Sequence, residues 1–299
     1  MATRYSEYTI ESAGTSIVLS VWQADKADAS IVFIPATMVH PLFYAPLLGG
    51  FAGHGFHVVG VHPVGHGKSP RGEKKYTLSD IVQNGRDAVT FALERFGMSV
   101  IVMGSSQGGV AAAALAAADN RIAAAFPHNI MLTELADSIG ISRFPKFLRC
   151  VYKPAKGIFR LFATILPELK LPLGFYLKRK RISENPVIWD MVERDPLCLK
   201  RYSLRFLASL FLTEFPGLTN GGIQCPLYVV ADRGDKLFTY EYTQKVFELL
   251  RAPYKELIEF HFNDHMLMVT HPEAVCERLS TKMKAVISGV AKAITEEDL

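Results

Sequence analysis

Short runs of apolar, often β-branched residues alternate along the chain with longer segments of helical apolar spacing. Residues 31–34, 58–61, 100–103 and 227–231 are almost continuously apolar. Runs of this kind are typical of parallel strands that helices cover on both faces. The alternation of such strands with helices therefore predicts an α/β fold built on a doubly wound, mostly parallel sheet.

The segments between these runs predict the helices and the outer strands. Residues 78–96 place their apolar side chains on one helical face. Residues 107–119 are rich in alanine, the residue with the highest helix propensity. Residues 17–21 alternate weakly between apolar and polar, which favours an early antiparallel strand. Residues 257–262 are interpreted as the last strand.

The alternation breaks between about residues 127 and 222. This stretch shows helical apolar spacing and no convincing strand pattern, and the alternation resumes at 227–231. It also contains several prolines, at positions 145, 154, 167, 172, 186 and 196. We predict a helical cap at 127–222, inserted after the sixth strand, with residues 1–126 and 223–299 forming the core. This cap is expected to lie over the carboxyl ends of the strands.

Composition and charge narrow the function classes. The chain has 299 residues, 49% hydrophobic and 21% charged, which fits one large domain with an insertion. Its net charge of +4 is too small to indicate nucleic-acid binding. Residues 143–205 hold 15 Lys and Arg against 5 Asp and Glu. This basic part of the cap suits peripheral contact with lipid surfaces or attraction of an anionic substrate group.

The cysteines and the amino terminus bear on redox state and location. The four cysteines (150, 198, 225 and 276) form no CxxC pair, so neither a disulfide framework nor a metal site is predicted. The start of the chain has no basic stretch followed by an apolar run, so no secretory signal is expected. No apolar stretch is long enough to predict a transmembrane helix. A cytoplasmic location is the resulting expectation.

The motif Gly104-x-Ser106-x-Gly108 directly follows the apolar run 100–103 and precedes the alanine-rich helix. A serine between a strand and a helix at this spacing is typical of a nucleophile elbow. The turn is so sharp that residues two positions away from the nucleophile must lack side chains. The serine oxygen also stands at a helix amino terminus, where developing negative charge is stabilised. Ser106 is therefore the predicted nucleophile.

A serine nucleophile needs a base and an orienting acid, which in this kind of fold follow in the order Ser, Asp or Glu, His. Among the late histidines, His265 lies in a polar turn after the last predicted strand, and we favour it over His261 and His271. Asp232 and Asp235 both follow the apolar run 227–231. We favour Asp235 because it lies further into the loop, and interpret Asp232 as a turn residue.

Stabilising the oxyanion requires two backbone N–H groups. One is expected from Gln107, directly after the nucleophile. The other is expected from the loop at 35–38, which follows the apolar run 31–34. No metal or organic cofactor is implied by this set of residues.

Together these residues resemble the α/β-hydrolase superfamily over nearly the whole chain. Within it, the layout is most similar to the monoacylglycerol lipase and lysophospholipase group of capped esterases. The local patterns that carry the resemblance are 35–44, 53–58, 62–69, Asp195-Pro196-Leu197, His265-Met266-Leu267 and His271-Pro272-Glu273. The resemblance implies an eight-stranded sheet and an oxyanion N–H donor at Thr37. Pro35-Ala36 replaces that group's usual His-Gly, and His62 replaces its usual Asp.

The predicted function is hydrolysis of a small-molecule carboxylic ester through an acyl-enzyme on Ser106. Large apolar residues in the predicted cap, such as Phe159, Phe162 and Phe211, favour an apolar acyl or aromatic group over a sugar or charged ester. Thioester hydrolysis and acyl transfer use the same residues and stay open as alternatives. A hydrolase scaffold that binds ligands without catalysis is a further alternative, although no member of the predicted triad is missing.

Overall fold

The computed structural model describes residues 3–72 and 74–289. Its centre is an eight-stranded sheet, with a separate two-stranded ribbon formed by the seventh and eighth strands. In chain order the strands are β1 Arg4–Ser12, β2 Thr15–Gln23, β3 Ala29–Ile34, β4 Phe56–His62, β5 Val100–Ser105, β6 Ile122–His128, β7 Lys170–Pro172, β8 Arg201–Ser203, β9 Leu227–Asp232 and β10 Lys255–Phe260.

The order of strands in the large sheet is β1-β2-β4-β3-β5-β6-β9-β10. Strand β2 pairs antiparallel with both β1 and β4, and the remaining pairs are parallel. This arrangement confirms the predicted doubly wound, mostly parallel α/β sheet and its early antiparallel strand. Strand β1 was not predicted, because its side chains are largely exposed or half-buried and give no apolar run.

Helices cover both faces of the sheet. Residues of β3 point alternately to the two sides, so that Ile31 and Phe33 join one apolar core and Val32 and Ile34 join the other. The α-helices are α1 Ala45–Gly53, α2 Leu78–Phe96, α3 Gln107–Ala118, α4 Tyr152–Ile165, α5 Leu173–Tyr176, α6 Arg179–Ile182, α7 Pro186–Arg194, α8 Leu204–Leu212, α9 Tyr240–Leu249, α10 Leu267–Thr270 and α11 Pro272–Ile287. Short 3-10 helices occur at Pro41–Tyr44, Ala136–Ile141, Lys146–Val151 and Pro216–Leu218.

Helices α1 and α11 pack on the first face, and α2 and α3 pack on the second. Helix α2 begins where the backbone N–H of Thr77 donates to the Asp80 carboxylate (2.8 Å), and it ends at Gly97, whose φ is +63°. None of the helices that the structure describes is long and apolar enough to cross a bilayer.

The segment between β6 and β9 contains helices α4 to α8, as the helical apolar spacing predicts. The expectation that it lacks strands is wrong, because β7 and β8 form an antiparallel ribbon. Three residues per strand are too few to produce a readable alternation of apolar and polar side chains. Strand β6 also continues to His128, two residues into the predicted cap. The division into core and cap at 127–222 stays a prediction.

Two buried histidines, His62 at the end of β4 and His66 in the loop that follows, hold this loop. His62 occupies the position where the resembling esterases have Asp, and its Nδ1 accepts the backbone N–H of Lys68 (3.1 Å). Its Nε2–H then donates to Ser20 Oγ (2.9 Å). The Nδ1–H of His66 donates to the Val64 carbonyl (2.9 Å). His62 keeps both of its bonds only while its ring is neutral. Burial lowers the pKa of His62 to about 3 and of His66 to about 4.

We predict that the free energy of unfolding falls as pH drops below about 6.5, the ordinary pKa of an unfolded histidine. Below that pH the unfolded chain binds a proton at each of these positions while the folded chain does not. Each such histidine lowers stability by about 1.4 kcal/mol per pH unit until its folded-state pKa is reached. Urea unfolding between pH 7.5 and 5 measures the slope.

The matched control for this prediction is His62→Asn, which removes one titrating group and keeps a side chain that accepts and donates hydrogen bonds. Its stability should fall less steeply with acidification, by about 1.4 kcal/mol per pH unit. Equal slopes in the two proteins would show that His62 is protonated in the folded state.

Candidate active site

Ser106 lies in a strained turn between β5 and α3. Its φ of +53° and ψ of −113° fall in a region that side-chain-bearing residues rarely adopt. A Cβ atom on Gly104 would lie 2.0 Å from the Gly108 carbonyl oxygen, and one on Gly108 would lie 2.0 Å from the Ile34 carbonyl oxygen. These positions therefore require glycine, and the turn has the geometry that the Gly104-x-Ser106-x-Gly108 motif predicts.

His265 and Asp235 are brought together from the loops after β10 and β9. His265 Nδ1 lies 2.8 Å from Asp235 Oδ2. Asp235 Oδ1 accepts the backbone N–H groups of Leu237 (2.7 Å) and Phe238 (2.9 Å). Burial acts to raise the pKa of Asp235, but the neighbouring His265 and these hydrogen bonds outweigh it and lower the pKa below its usual value. Asp235 is thus held as a carboxylate that faces the imidazole.

Asp232, the alternative acid, binds backbone N–H groups. Its two carboxylate oxygens accept the backbone N–H groups of Gly234 (2.9 Å), Phe262 (2.6 Å) and Asn263 (2.9 Å). It therefore ties the loop after β9 to the loop after β10. Of the alternative histidines, His271 stacks on Phe262 at 3.9 Å between ring centroids, and His261 is exposed at the end of β10.

The loop after β3 carries the predicted oxyanion donor. Thr37 lines the same pocket as Ser106. Met38 follows with a φ of +72°, its N–H donates to the Tyr202 hydroxyl (2.8 Å) and its carbonyl accepts the Leu199 N–H (2.8 Å). Residues between β6 and β9 therefore fix this loop from above. Gln107 is the first residue of α3, where backbone N–H groups have no partner within the helix.

The pocket over Ser106 and His265 is almost entirely apolar. Its walls come partly from the loop after β3 and partly from the segment between β6 and β9. The apolar side chains that line it belong to Ala36, Met38, Val39, Leu173, Leu177, Ile182, Ile188, Trp189, Val192, Leu237 and Met266. In the part of the chain that the structure describes, the Ser106 hydroxyl makes no hydrogen bond to His265, which is common before a substrate binds.

Two groups of side chains have the donor types that metal ions use. His40, Asp195 and Cys198 form one, and His128, Asp235 and His265 form the other. In the first group, His40 Nε2 lies 2.7 Å from Asp195 Oδ2, a hydrogen-bond distance. Burial raises the pKa of the Cys198 thiol to about 12, which disfavours the thiolate that binds metals. Hydrogen bonding therefore accounts for this arrangement.

Sequence reasoning missed several residues around the site. His128 precedes the late histidines by more than 100 residues, and it is buried beside His265, at 5.6 Å between ring centroids. Asn129 contacts Asp235, and Tyr202 contacts the loop after β3. Each of these three residues contacts a partner more than 100 positions away in the chain, and a local sequence pattern does not predict such contacts.

Comparison with solved structures finds the same fold in enzymes of low sequence identity. The monoglyceride lipase of Saccharomyces cerevisiae, solved as a soluble variant with a substrate analogue, matches with a TM-score of 0.77 at 14% identity, covering 96% of this chain and 97% of that one. The monoacylglycerol lipase of Paleococcus ferrophilus matches with a TM-score of 0.68 at 20% identity, covering 94% and 99%. A thermophilic esterase of Thermogutta terrifontis gives 0.65 at 14% identity, covering 94% and 99%.

Comparison with curated protein sequences finds no match. A family model described as serine aminopeptidase, S33, matches residues 25–271, most of the chain. That match agrees with the α/β-hydrolase resemblance of the motifs and with the fold of the structures above. The chain therefore belongs to the α/β-hydrolase family of the S33 serine aminopeptidases.

Proposed function

We propose that this protein is a serine hydrolase that cleaves carboxylic esters with an apolar acyl or aromatic group. Ser106 is the nucleophile, His265 the general base and Asp235 the orienting acid. The observation that carries the proposal is the 2.8 Å contact between His265 and a buried Asp235 carboxylate, at a pocket that also contains the strained Ser106. A nucleophile, a base and an acid that orients the base are the parts that acyl transfer needs.

In the proposed mechanism, Ser106 Oγ attacks the ester carbonyl carbon while His265 takes the hydroxyl proton. Asp235 holds the His265 tautomer and stabilises the imidazolium that forms. The backbone N–H groups of Thr37 and Gln107 stabilise the oxyanion. Collapse of the intermediate expels the alcohol, which takes the proton from His265, and leaves an acyl group on Ser106. Water then attacks with His265 again as base, and the carboxylic acid leaves.

The walls of the pocket support an apolar acyl or aromatic group. They include Leu173, Leu177, Ile188, Trp189 and Val192, all from the predicted cap. Apolar walls with few polar groups are typical of sites for small apolar ligands. The same contacts support the proposal that residues 127–222 form a cap over Ser106. Thioesters and acyl transfer would use the same groups and stay as alternatives within this mechanism.

We predict that Asp235→Asn lowers kcat by roughly four orders of magnitude, because the imidazole loses the group that fixes its tautomer. The matched variant Asp232→Asn should leave kcat near the wild-type value. This substitution should lower the free energy of unfolding by about 1–3 kcal/mol, because three backbone N–H groups lose the charged carboxylate to which they donate. Ester hydrolysis and urea unfolding of both variants measure the two effects. A larger loss of kcat in Asp232→Asn would assign the acid to Asp232.

A series of p-nitrophenyl esters tests the apolar acyl site. Each methylene buried contributes about 0.8 kcal/mol, about fourfold in kcat/KM. Lengthening the acyl chain by four carbons from acetyl should then raise kcat/KM by about two orders of magnitude if every added methylene is buried. Ser106→Ala serves as the control and should show no burst and no saturable hydrolysis. A steady fall beyond butanoyl would contradict the apolar acyl site and favour small or aromatic acyl groups. Acyl-CoA thioesters in parallel distinguish esterase from thioesterase activity.

Helix α4 supports the proposal that the basic part of the cap contacts lipid surfaces. Its residues Ile158, Leu161, Phe162 and Ile165 are 58%, 58%, 55% and 63% exposed. They recur at the spacing of one helical face, so this helix presents a continuous apolar stripe to solvent. Phe159 and Ala163 on the opposite face pack against the core or are buried.

Exposed basic residues occur on the same helix and near it in the sequence. Lys153 and Arg160 on α4 and Lys170 on β7 are exposed, within a segment that carries a strong excess of basic residues. A helix with an apolar face and basic neighbours suits the interface of an anionic bilayer.

We predict that the protein sediments with vesicles containing anionic phospholipid and much less with zwitterionic vesicles. The double variant Phe162→Ser/Ile165→Ser should reduce that binding about tenfold or more, because two large side chains no longer insert. Leu249→Ser, at a partly exposed position on α9, is the matched control and should bind as the wild type does. Hydrolysis of a soluble short-chain ester should be unchanged in all three proteins. Equal sedimentation of the two variants would contradict lipid docking through α4.

A further inference from the structure

Asn129 lies at the carboxyl end of β6, buried beside the proposed triad. Its φ is +64°, in the left-handed region. Its side-chain Nδ2 donates to Asp235 Oδ2 at 3.0 Å, and it lies 2.9 Å from His128 Nε2 and 3.3 Å from His265 Nδ1. Asp235 Oδ2 therefore accepts from two residues, His265 and Asn129.

The orientation of the Asn129 amide is fixed by what surrounds it. An amide nitrogen carries two hydrogens, and here it faces two acceptors, the Asp235 carboxylate and His128 Nε2. His128 accepts at Nε2 only as a neutral ring whose hydrogen is on Nδ1, and this nitrogen lies 3.3 Å from Ser105 Oγ. Burial lowers the pKa of His128 to about 3, so the neutral form is kept across the working pH range. If the Asn129 amide were turned over, its oxygen would face Asp235 Oδ2 and His128 Nε2, and no hydrogen would lie between these acceptors.

We propose that Asn129 is a positioning residue of the triad, which holds the Asp235 carboxylate against His265, and that neutral His128 sets the orientation of its amide. The inference rests on the proposed function of Ser106, Asp235 and His265. The hydrogen bond from Asn129 also withdraws part of the carboxylate charge from the imidazolium. The main chain supports this role, because the Ser106 N–H donates to the His128 carbonyl at 2.8 Å.

The charged and titratable groups around His265 come from several elements. Asp235 follows β9, and His128 ends β6. Arg181, at the end of α6, donates to the Lys236 and Leu237 carbonyls beside Asp235. Of these groups, Asp235 and Arg181 are charged at neutral pH. Removing the Asn129 amide therefore leaves the imidazolium facing a carboxylate with one donor fewer.

The test compares pH profiles of kcat/KM for ester hydrolysis. Asn129→Gly keeps the left-handed backbone accessible and removes the donor. Its kcat should fall about tenfold, because a hydrogen bond to a charged group is lost. The acid limb of its profile, where kcat/KM falls at low pH, should move to higher pH by about half a unit or more. The reason is that the Asp235 carboxylate then stabilises the His265 imidazolium more strongly. If Asn129 only filled space, its replacement would lower kcat without shifting the acid side of the pH profile.

A second pair of variants leaves Asn129 in place. His128→Phe removes the acceptor that orients the amide, and its acid limb should move in the same direction as in Asn129→Gly. His128→Gln offers an oxygen to Asn129 and an N–H to Ser105, and it should restore the wild-type limb. If His128→Phe and His128→Gln behave alike, the orienting role of His128 is overturned.

The outcomes separate this inference from the proposed function. Wild-type protein that hydrolyses no ester would overturn both. Wild-type protein that hydrolyses esters, together with an acid limb that stays in place or moves to lower pH in Asn129→Gly, would overturn the positioning role alone. Circular dichroism of each variant checks that the fold is retained, and the His128 pair decides the question if Asn129→Gly does not fold.

Discussion

Three backbone segments meet at the turn that carries Ser106. Where these segments touch, there is no room for a side chain. The carbonyl of Ile34 at the end of β3 lies where a Cβ on Gly108 would be, and the His128 carbonyl at the end of β6 lies where a Cβ on Gly109 would be. This contact brings the ends of β3, β5 and β6 to one point. The loop after β3, the turn at Ser106 and the β6 end that carries Asn129 are therefore placed together by one steric constraint.

A buried charge is the second feature that the site must accommodate. Asp235 is almost fully buried, and a carboxylate in that position is costly unless each oxygen has hydrogen-bond partners. Two backbone N–H groups donate hydrogen bonds to Asp235 Oδ1, and the side chains of His265 and Asn129 donate to Asp235 Oδ2. The result is a carboxylate that cannot easily rotate, which is what an imidazole needs for a fixed tautomer. The fixed orientation of His265 thus follows from the hydrogen bonds that a buried Asp235 carboxylate requires.

Residues from the segment between β6 and β9 bind directly to the loop after β3. Tyr202 connects His66 of the core with the backbone of Met38, at 2.6 Å and 2.8 Å respectively. The position of the loop that carries Thr37 therefore depends on contacts with the segment that also forms the pocket walls. Access to Ser106 and the shape of the proposed oxyanion site are linked through these few hydrogen bonds.

Much of this organisation follows from local sequence, and the rest does not. Apolar runs predict β3, β4, β5 and β9, and glycine spacing predicts the turn at Ser106, because both reflect neighbouring residues. Asp235, favoured for its position in its loop, contacts His265. The contacts of Asp232 depend on N–H groups about 30 residues away. His128, Asn129 and Tyr202 escaped prediction for the same reason, since their partners are distant in sequence. Strand β1 and the β7–β8 ribbon were missed because they are exposed or very short.

The most direct test of the account is to trap the covalent intermediate. The protein is mixed with a p-nitrophenyl ester of an apolar acid, quenched in acid within the burst, and measured by intact and peptide mass spectrometry. We expect a mass increase equal to one acyl group, located on Ser106 and absent in Ser106→Ala. An acyl group on Ser105 or Ser69, or ester turnover that survives in Ser106→Ala, would contradict it.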